Sequence, residues 1–106
     1  MDLAVGCYEL TTPFPATEAF GMTSQIRRAA ASVAANIAEG HGRENTGSFI
    51  QFLRIAQGSV KELETHVILC QRVGLIDDRL AAPSLAKCDE IGRMLRSLIR
   101  SLQNKK

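Results

Sequence analysis

Between Phe49 and Cys70, apolar residues recur at alternating steps of four and three: Phe49, Leu53, Ala56, Val60, Leu63, Val67 and Cys70. This unbroken heptad seam puts every member on one stripe of an α-helix, and such a stripe must be buried against partners. The seam therefore predicts a protein built of packed helices. It also places function on a surface rather than in a catalytic pocket.

The flanking sequence supplies the partners. Asp2 to Leu10 predicts a short helix with Leu3, Cys7 and Leu10 on one side, stopped by Thr11-Thr12-Pro13-Phe14-Pro15 because each proline disfavours helical geometry before it. A second helix starts near Ala16 or after Gly21, with Thr23 or Ser24 as cap, and runs to Glu39 before Gly40-His41-Gly42 ends it. Its stripe is Ile26, Ala30, Val33 and Ile37, surrounded by Ala29, Ala31, Ser32, Ala34, Ala35 and Ala38. Residues this small favour helix and let backbones approach closely.

The third helix starts between Thr46 and Ser48 and ends at Gly74, a left-handed cap. Ile50, Phe52, Ile55, Ile68 and Leu69 lie outside its seam, either as flanking core or as a contact between subunits. Asp77-Asp78 begins a fourth helix in which Pro83 is tolerable only in an early turn. Leu85, Cys88, Ile91, Leu95, Leu98 and Leu102 carry its stripe. No strand signal, repeat or low-complexity segment interrupts the pattern. The expectation is an all-α single domain over residues 1–106: an antiparallel up-down-up-down four-helix bundle with a shortened first helix.

With 5% aromatic residues and no Trp, the core must be aliphatic and alanine-rich. Thirteen Lys plus Arg against eleven Asp plus Glu leave a net charge of only +2, so overall charge does not announce a nucleic-acid partner. Its distribution says more. After Glu90 no acidic residue follows, whereas Arg93, Arg96, Arg100, Lys105 and Lys106 do. Cys7, Cys70 and Cys88 are odd in number with no Cys-x-x-Cys pair, which points to thiols in a reducing cytoplasm. No apolar run reaches the roughly 18 to 20 residues of a membrane span, and the N-terminus lacks the order of a signal peptide.

Enzyme signatures are missing: there is no Walker A loop, no Gly-x-Gly-x-x-Gly after a strand and no His-Glu-x-x-His. Glu62, His66 and Cys70 share one helix face at ligand-like spacing, with Cys88 the one hint of a second motif. A half-buried histidine beside a core thiol accounts for that spacing, and neither metal nor cofactor is expected. The basic residues are the better lead. Arg93, Arg96 and Arg100 share one helix face, and guanidinium forks on such a stripe fit phosphate oxygens. Cations near a helix C-terminus are also favourable simply as a solvated face. Arg27, Arg28 and Arg54 are expected to pair with Glu39, Glu62 or Glu64 between helices or subunits.

Phe14-Pro15, Ser24-Gln25-Ile26-Arg27-Arg28-Ala29-Ala30 and Asn36-Ile37-Ala38-Glu39-Gly40 with Arg43 resemble the bacterial four helix bundle protein family. Phe52-Leu53-Arg54-Ile55-Ala56, Gly58-Ser59 and Glu62-Leu63-Glu64 continue the likeness in the family's order. That family includes proteins encoded in intervening sequences of 23S ribosomal RNA genes, and the accessory protein of diversity-generating retroelements is a relative. The resemblance implies a ring-like homopentamer with a basic surface for nucleic acid. It makes Arg27, Arg28, Arg43, Arg54, Glu39, Glu62 and Glu64 motif residues. Arg93, Arg96 and Arg100 match no fixed family motif. Family members usually extend the first helix ahead of the position of Met1, so either translation starts upstream or a groove lies where half a helix is missing.

Together these readings give a non-enzymatic, cytoplasmic homo-oligomer that binds RNA or DNA. The contacts come from Arg93, Arg96 and Arg100, with a lesser set of Arg27, Arg28 and Arg43, while Arg54, Glu39, Glu62 and Glu64 form structural ion pairs. The alternative is an adaptor that presents a face of the ring to a protein partner.

Overall fold

The computed structural model describes residues 2–12 and 21–104. Four helices occupy them: α1 (Asp2–Thr11), α2 (Met22–His41), α3 (Thr46–Arg72) and α4 (Asp78–Gln103). The expected Pro13-Phe14-Pro15 break, the alternative start at Ala16 and the terminal Lys105 and Lys106 lie outside the described residues.

α3 is the axis of the fold. Of its seam, Leu53, Ala56, Val60, Leu63, Val67 and Cys70 are buried, and Phe49 packs half-buried at the edge. α2 covers one flank of this helix with Ile26, Ala29, Ala30 and Val33. α4 covers the other with Ala81, Cys88, Leu95 and Ile99, and α1 closes the ring by packing Leu3 and Cys7 on α2 and α4. Successive helices run antiparallel. Ser32 meets Ser59 and Gly40 meets Phe49 between α2 and α3, while Gln71 meets Asp78 where α3 turns into α4. The result is an elongated bundle of 49 × 22 × 18 Å, and the all-α up-down-up-down expectation holds.

Local chemistry sets the helix ends. Asn45 caps α3 by accepting the Ser48 N–H at 3.1 Å, and Asp77 caps α4 by accepting the Arg79 N–H at 2.7 Å. At the far end of α3, Leu75 N–H bonds the Cys70 carbonyl at 2.9 Å and Gly74 N–H bonds that of Gln71 at 3.3 Å, with Gly74 at φ +83°. This is the Schellman arrangement, so the left-handed cap read from Gly74 is present.

Three features of the helices differ from expectation. α2 starts after Gly21 as expected, but Gly21 itself is the N-cap and no side chain caps the helix, so neither Thr23 nor Ser24 serves there. α2 continues through Gly40 to His41, and Gly42 caps it in a right-handed conformation. Gly40 is buried inside the helix because a β-carbon there would come within 2.9 Å of the Phe49 ring. It is a close-approach residue, not a terminator. Pro83 lies beyond the first turn of α4 and the helix runs through it. Its missing N–H deprives the Arg79 carbonyl of a donor, but both residues are exposed and water can replace the bond.

α1 is far shorter than its neighbours, and a groove of about 420 Å3 opens at its start, between α2 and α4, lined by Leu3, Ile37, Ile91 and Met94. A polar network the periodicity did not foretell joins α2 to α3. The Ser32 and Ser59 hydroxyls lie 2.8 Å apart, and Asn36 Nδ2 donates to the Ser32 carbonyl at 2.8 Å.

The seam gives a direct test. Leu63 is fully buried, so Leu63→Ala is expected to cost about 2–5 kcal/mol. Leu80 is exposed, and Leu80→Ala should stay within about 0.5 kcal/mol. Urea unfolding followed by circular dichroism measures both, and equal losses would contradict the assigned core.

Candidate nucleic-acid interface

The heptad stripe of α4 turns its apolar residues inward and leaves Arg93, Arg96 and Arg100 exposed along one edge. Arg93 Nη2 pairs with Asp89 Oδ2 one turn earlier at 3.0 Å. The side chains of Arg96 and Arg100 make no ion pair or hydrogen bond among the described residues. They stand free in the half of α4 that carries no acidic side chain.

The stripe borders a groove of about 380 Å3 between α3 and α4. Because the two helices run antiparallel, Arg54 of α3 and Arg96 of α4 line the same end of it. Arg54 likewise has no partner among the described residues. At the other end Glu64 Oε1 lies 3.4 Å from Lys61 Nζ, and Asp89 is held by Arg93. Gln57, Val60, Cys88 and two mid-helix glycines, Gly58 and Gly92, form the rest of the lining. Glycine inside a helix costs about 1 kcal/mol relative to alanine.

The intrachain pairing expected for Arg54 does not form. Glu39 pairs with Arg43 at 2.9 Å, Glu64 with Lys61, and Glu62 Oε1 lies 3.5 Å from His66 Nε2. The reason is rotational: Arg54 lies on the α3 flank that faces α4, and the residue sharing its end of the groove is Arg96, another cation. His66 Nε2 is buried with no aligned hydrogen bond, so the Glu62 contact is close but not a formed bond. Among the described residues no three His, Cys, Asp or Glu side chains converge as metal ligands.

The lesser arginine set is dispersed. Arg27 Nε donates to Thr11 Oγ1 at 2.8 Å, Nη2 to the Tyr8 carbonyl at 3.4 Å, and the guanidinium lies 4.7 Å from the Tyr8 ring centre. Buried Thr11 in turn donates to the Cys7 carbonyl at 2.8 Å. Arg27 therefore fastens α1 to α2. Arg28, beside it, donates to Gln25 Oε1 at 2.7 Å and stays exposed. Arg43 sits at the opposite end of α2, paired with Glu39 and stacked 4.7 Å from the Phe52 ring centre. That end of the bundle also carries the C-terminal turns of α4. Sequence reasoning gave Arg54 a structural role, took Gly58 only as part of the family likeness and did not single out Gly92. The available signal was the antiparallel register that brings positions 54 and 96 to one groove.

The family model described as 23S rRNA-intervening sequence protein matches residues 1–97, which takes in α1 to α3 and α4 to just past Arg96, leaving Arg100 outside the match. The chain belongs to that family. A crystal structure of an S23 ribosomal protein family member of unknown function from Bacteroides thetaiotaomicron VPI-5482 shares its fold. Its TM-score is 0.83 at 28% sequence identity, over 92% of each chain. No curated protein matches. In this member of the 23S rRNA-intervening sequence family, no described helix is long and apolar enough to cross a membrane.

All three cysteines are buried. Burial pushes the Cys7 thiol from its ordinary 9.0 up to about 11. It pushes Cys88 up to about 12, with the charges of Cys7 and Glu64 adding to the rise. The neutral thiols thus stabilise the fold fully below pH 9.0, and that contribution is lost as pH rises towards these values. At about pH 8 both thiols stay protonated, so iodoacetamide should label them slowly in the folded protein and rapidly in denaturing urea. Mass spectrometry of the adducts reads this out; equal labelling rates would contradict the buried placement.

Proposed function

We propose that this protein is a non-catalytic, cytoplasmic homo-oligomer that binds RNA through phosphate contacts from Arg96, Arg100 and Arg93, with Arg28 and Arg43 as outlying contacts. The observation that carries the reading is the pair of exposed arginines on α4, Arg96 and Arg100, which no carboxylate of the described residues neutralises. A guanidinium without an internal partner is available to fork onto phosphate oxygens. The association of the family with intervening sequences of ribosomal RNA genes favours RNA, and the resemblance to the retroelement accessory protein points the same way. Arg27 belongs to the fold rather than to the ligand, since Thr11 and Tyr8 already occupy it.

Each phosphate contact releases counterions and contributes about 0.7 to the log–log salt slope on a single strand. Fluorescence anisotropy with a single-stranded RNA should therefore show affinity falling steeply between about 50 and 200 mM salt. Arg96→Ala with Arg100→Ala should lower the slope by about 1.4. Affinity flat in salt, or a slope unchanged in the double variant, overturns the reading.

The assembly we propose is the ring-like pentamer. Ile55, Leu69 and Val73 are exposed along the outer flank of α3, and so much apolar surface on one helix suits a contact between copies. Light scattering coupled to size exclusion should give five times the protomer mass, and a monomer would exclude the ring. The same apolar line supports the second reading, an adaptor for a protein partner. A protein that pulls down a partner through Ile55 and Leu69 but retains no RNA would favour it.

A further inference from the structure

We infer that the groove between α3 and α4 binds a nucleoside phosphate, with the phosphate held between Arg54 and Arg96. The inference rests on the RNA reading for the source of that phosphate, and it adds a defined pocket and a residue, Arg54, that the exposed stripe does not include.

Three observations converge on it. The first is charge. Arg27, Arg28, Arg43, Arg79 and Arg93 each have a hydrogen bond or a carboxylate, whereas the side chains of Arg54, Arg72, Arg96 and Arg100 have neither among the described residues. Of these four, Arg54 and Arg96 line one groove from two helices. Two cations facing one concavity repel each other, and an anion between them turns that repulsion into attraction.

The second is the floor. A β-carbon on Gly58 would meet nothing within 4 Å, and one on Gly92 would meet only Arg96 Nη1 at 3.5 Å. Helix packing within the protomer therefore does not require glycine at either position, although alanine would make the better helix. Both glycines keep the space beside the arginines open. They differ in this from Gly40, which the Phe49 ring demands.

The third is polarity along the groove. Its volume of about 380 Å3 lies within the range of small-molecule sites. From the arginine end the lining passes through Gln57 and Lys61 to Glu64 and Asp89. Their carboxylates are paired with Lys61 and Arg93, and each keeps a second oxygen as an acceptor for hydroxyl and amino groups. Val60 and Cys88 offer apolar surface between, and the Cys88 thiol stays neutral there. An anionic head followed by a hydrogen-bond-donating body is the chemistry of a nucleoside phosphate, free or within an RNA strand.

The test uses adenosine monophosphate as probe and nitrogen-15 NMR of the whole protein. The ligand should shift the Gly58 and Gly92 amides in a saturable way. Arg54→Ala should weaken that binding at least tenfold, with Arg54→Lys recovering part of it. Gly58→Ala should raise the thermal midpoint, and Gly58→Leu should keep the helical spectrum while abolishing the shifts. RNA affinity measured on the same variants separates the two ideas. If Arg54→Ala and Gly58→Leu weaken both probes, the groove holds a phosphate of the strand. If they weaken only the mononucleotide, the groove is a site for a free nucleotide. Gly58 and Gly92 amides unmoved by the mononucleotide, with RNA bound equally by wild type and Gly58→Leu, overturn the pocket while leaving the α4 stripe as the RNA surface. Mononucleotide binding without any RNA binding keeps the pocket and removes the RNA reading.

Discussion

The burial of one stripe of α3 is the constraint on which the rest of the molecule depends. Leu53, Leu63 and Val67 are sealed from solvent between α2 and α4, and each side chain removed from water contributes about 1.5–3 kcal/mol. Because α3 is also the longest helix, its two flanks decide where everything else lies. The flank towards α2 carries the Ser32–Ser59 contact and the Gly40–Phe49 close approach. The flank towards α4 carries the groove. A change in the seam would therefore move the arginines as well as the core.

The arginines divide according to what the packing leaves near them. Arg27 is drawn into the α1–α2 junction by a hydroxyl, a carbonyl and an aromatic face, and this tie compensates in part for the brevity of α1. Arg43 is anchored by Glu39 and Phe52. Surface pairs of this kind add little stability, but they fix where a guanidinium points. Arg54, Arg96 and Arg100 have no such tether among the described residues. Arg54 and Arg96 share one end of the groove because α3 and α4 cross antiparallel, and Arg96 and Arg100 lie beyond Glu90, the last acidic residue of the sequence. The free cations and the opened groove thus have a common origin in the helix register.

Glycines show how one residue type serves unlike purposes in a bundle. Gly74 supplies the left-handed turn that releases the chain from α3 into α4. Gly40 allows a ring to lie against a helix backbone. Gly58 has neither duty within the protomer, which is what sets the groove apart from ordinary packing.

Periodicity determined the stripes, and the Pro13-Phe14-Pro15, Gly40-His41-Gly42 and Gly74 breaks between them gave the number of helices. The Gly74 stop and the Asp77 start were legible for the same kind of reason, being local backbone chemistry. The Arg93, Arg96 and Arg100 face was legible as a face, since helical spacing is local too. Partnership was not. That Glu39 takes Arg43, that Thr11 takes Arg27, and that Arg54 meets another arginine instead of a glutamate depend on the rotation of each helix about its axis. The same rotation turned Gly40 from an apparent terminator into a packing residue. Sequence spacing specifies which residues share a helix, but only the docking of helix on helix sets what each side chain faces, and the groove is a product of that docking.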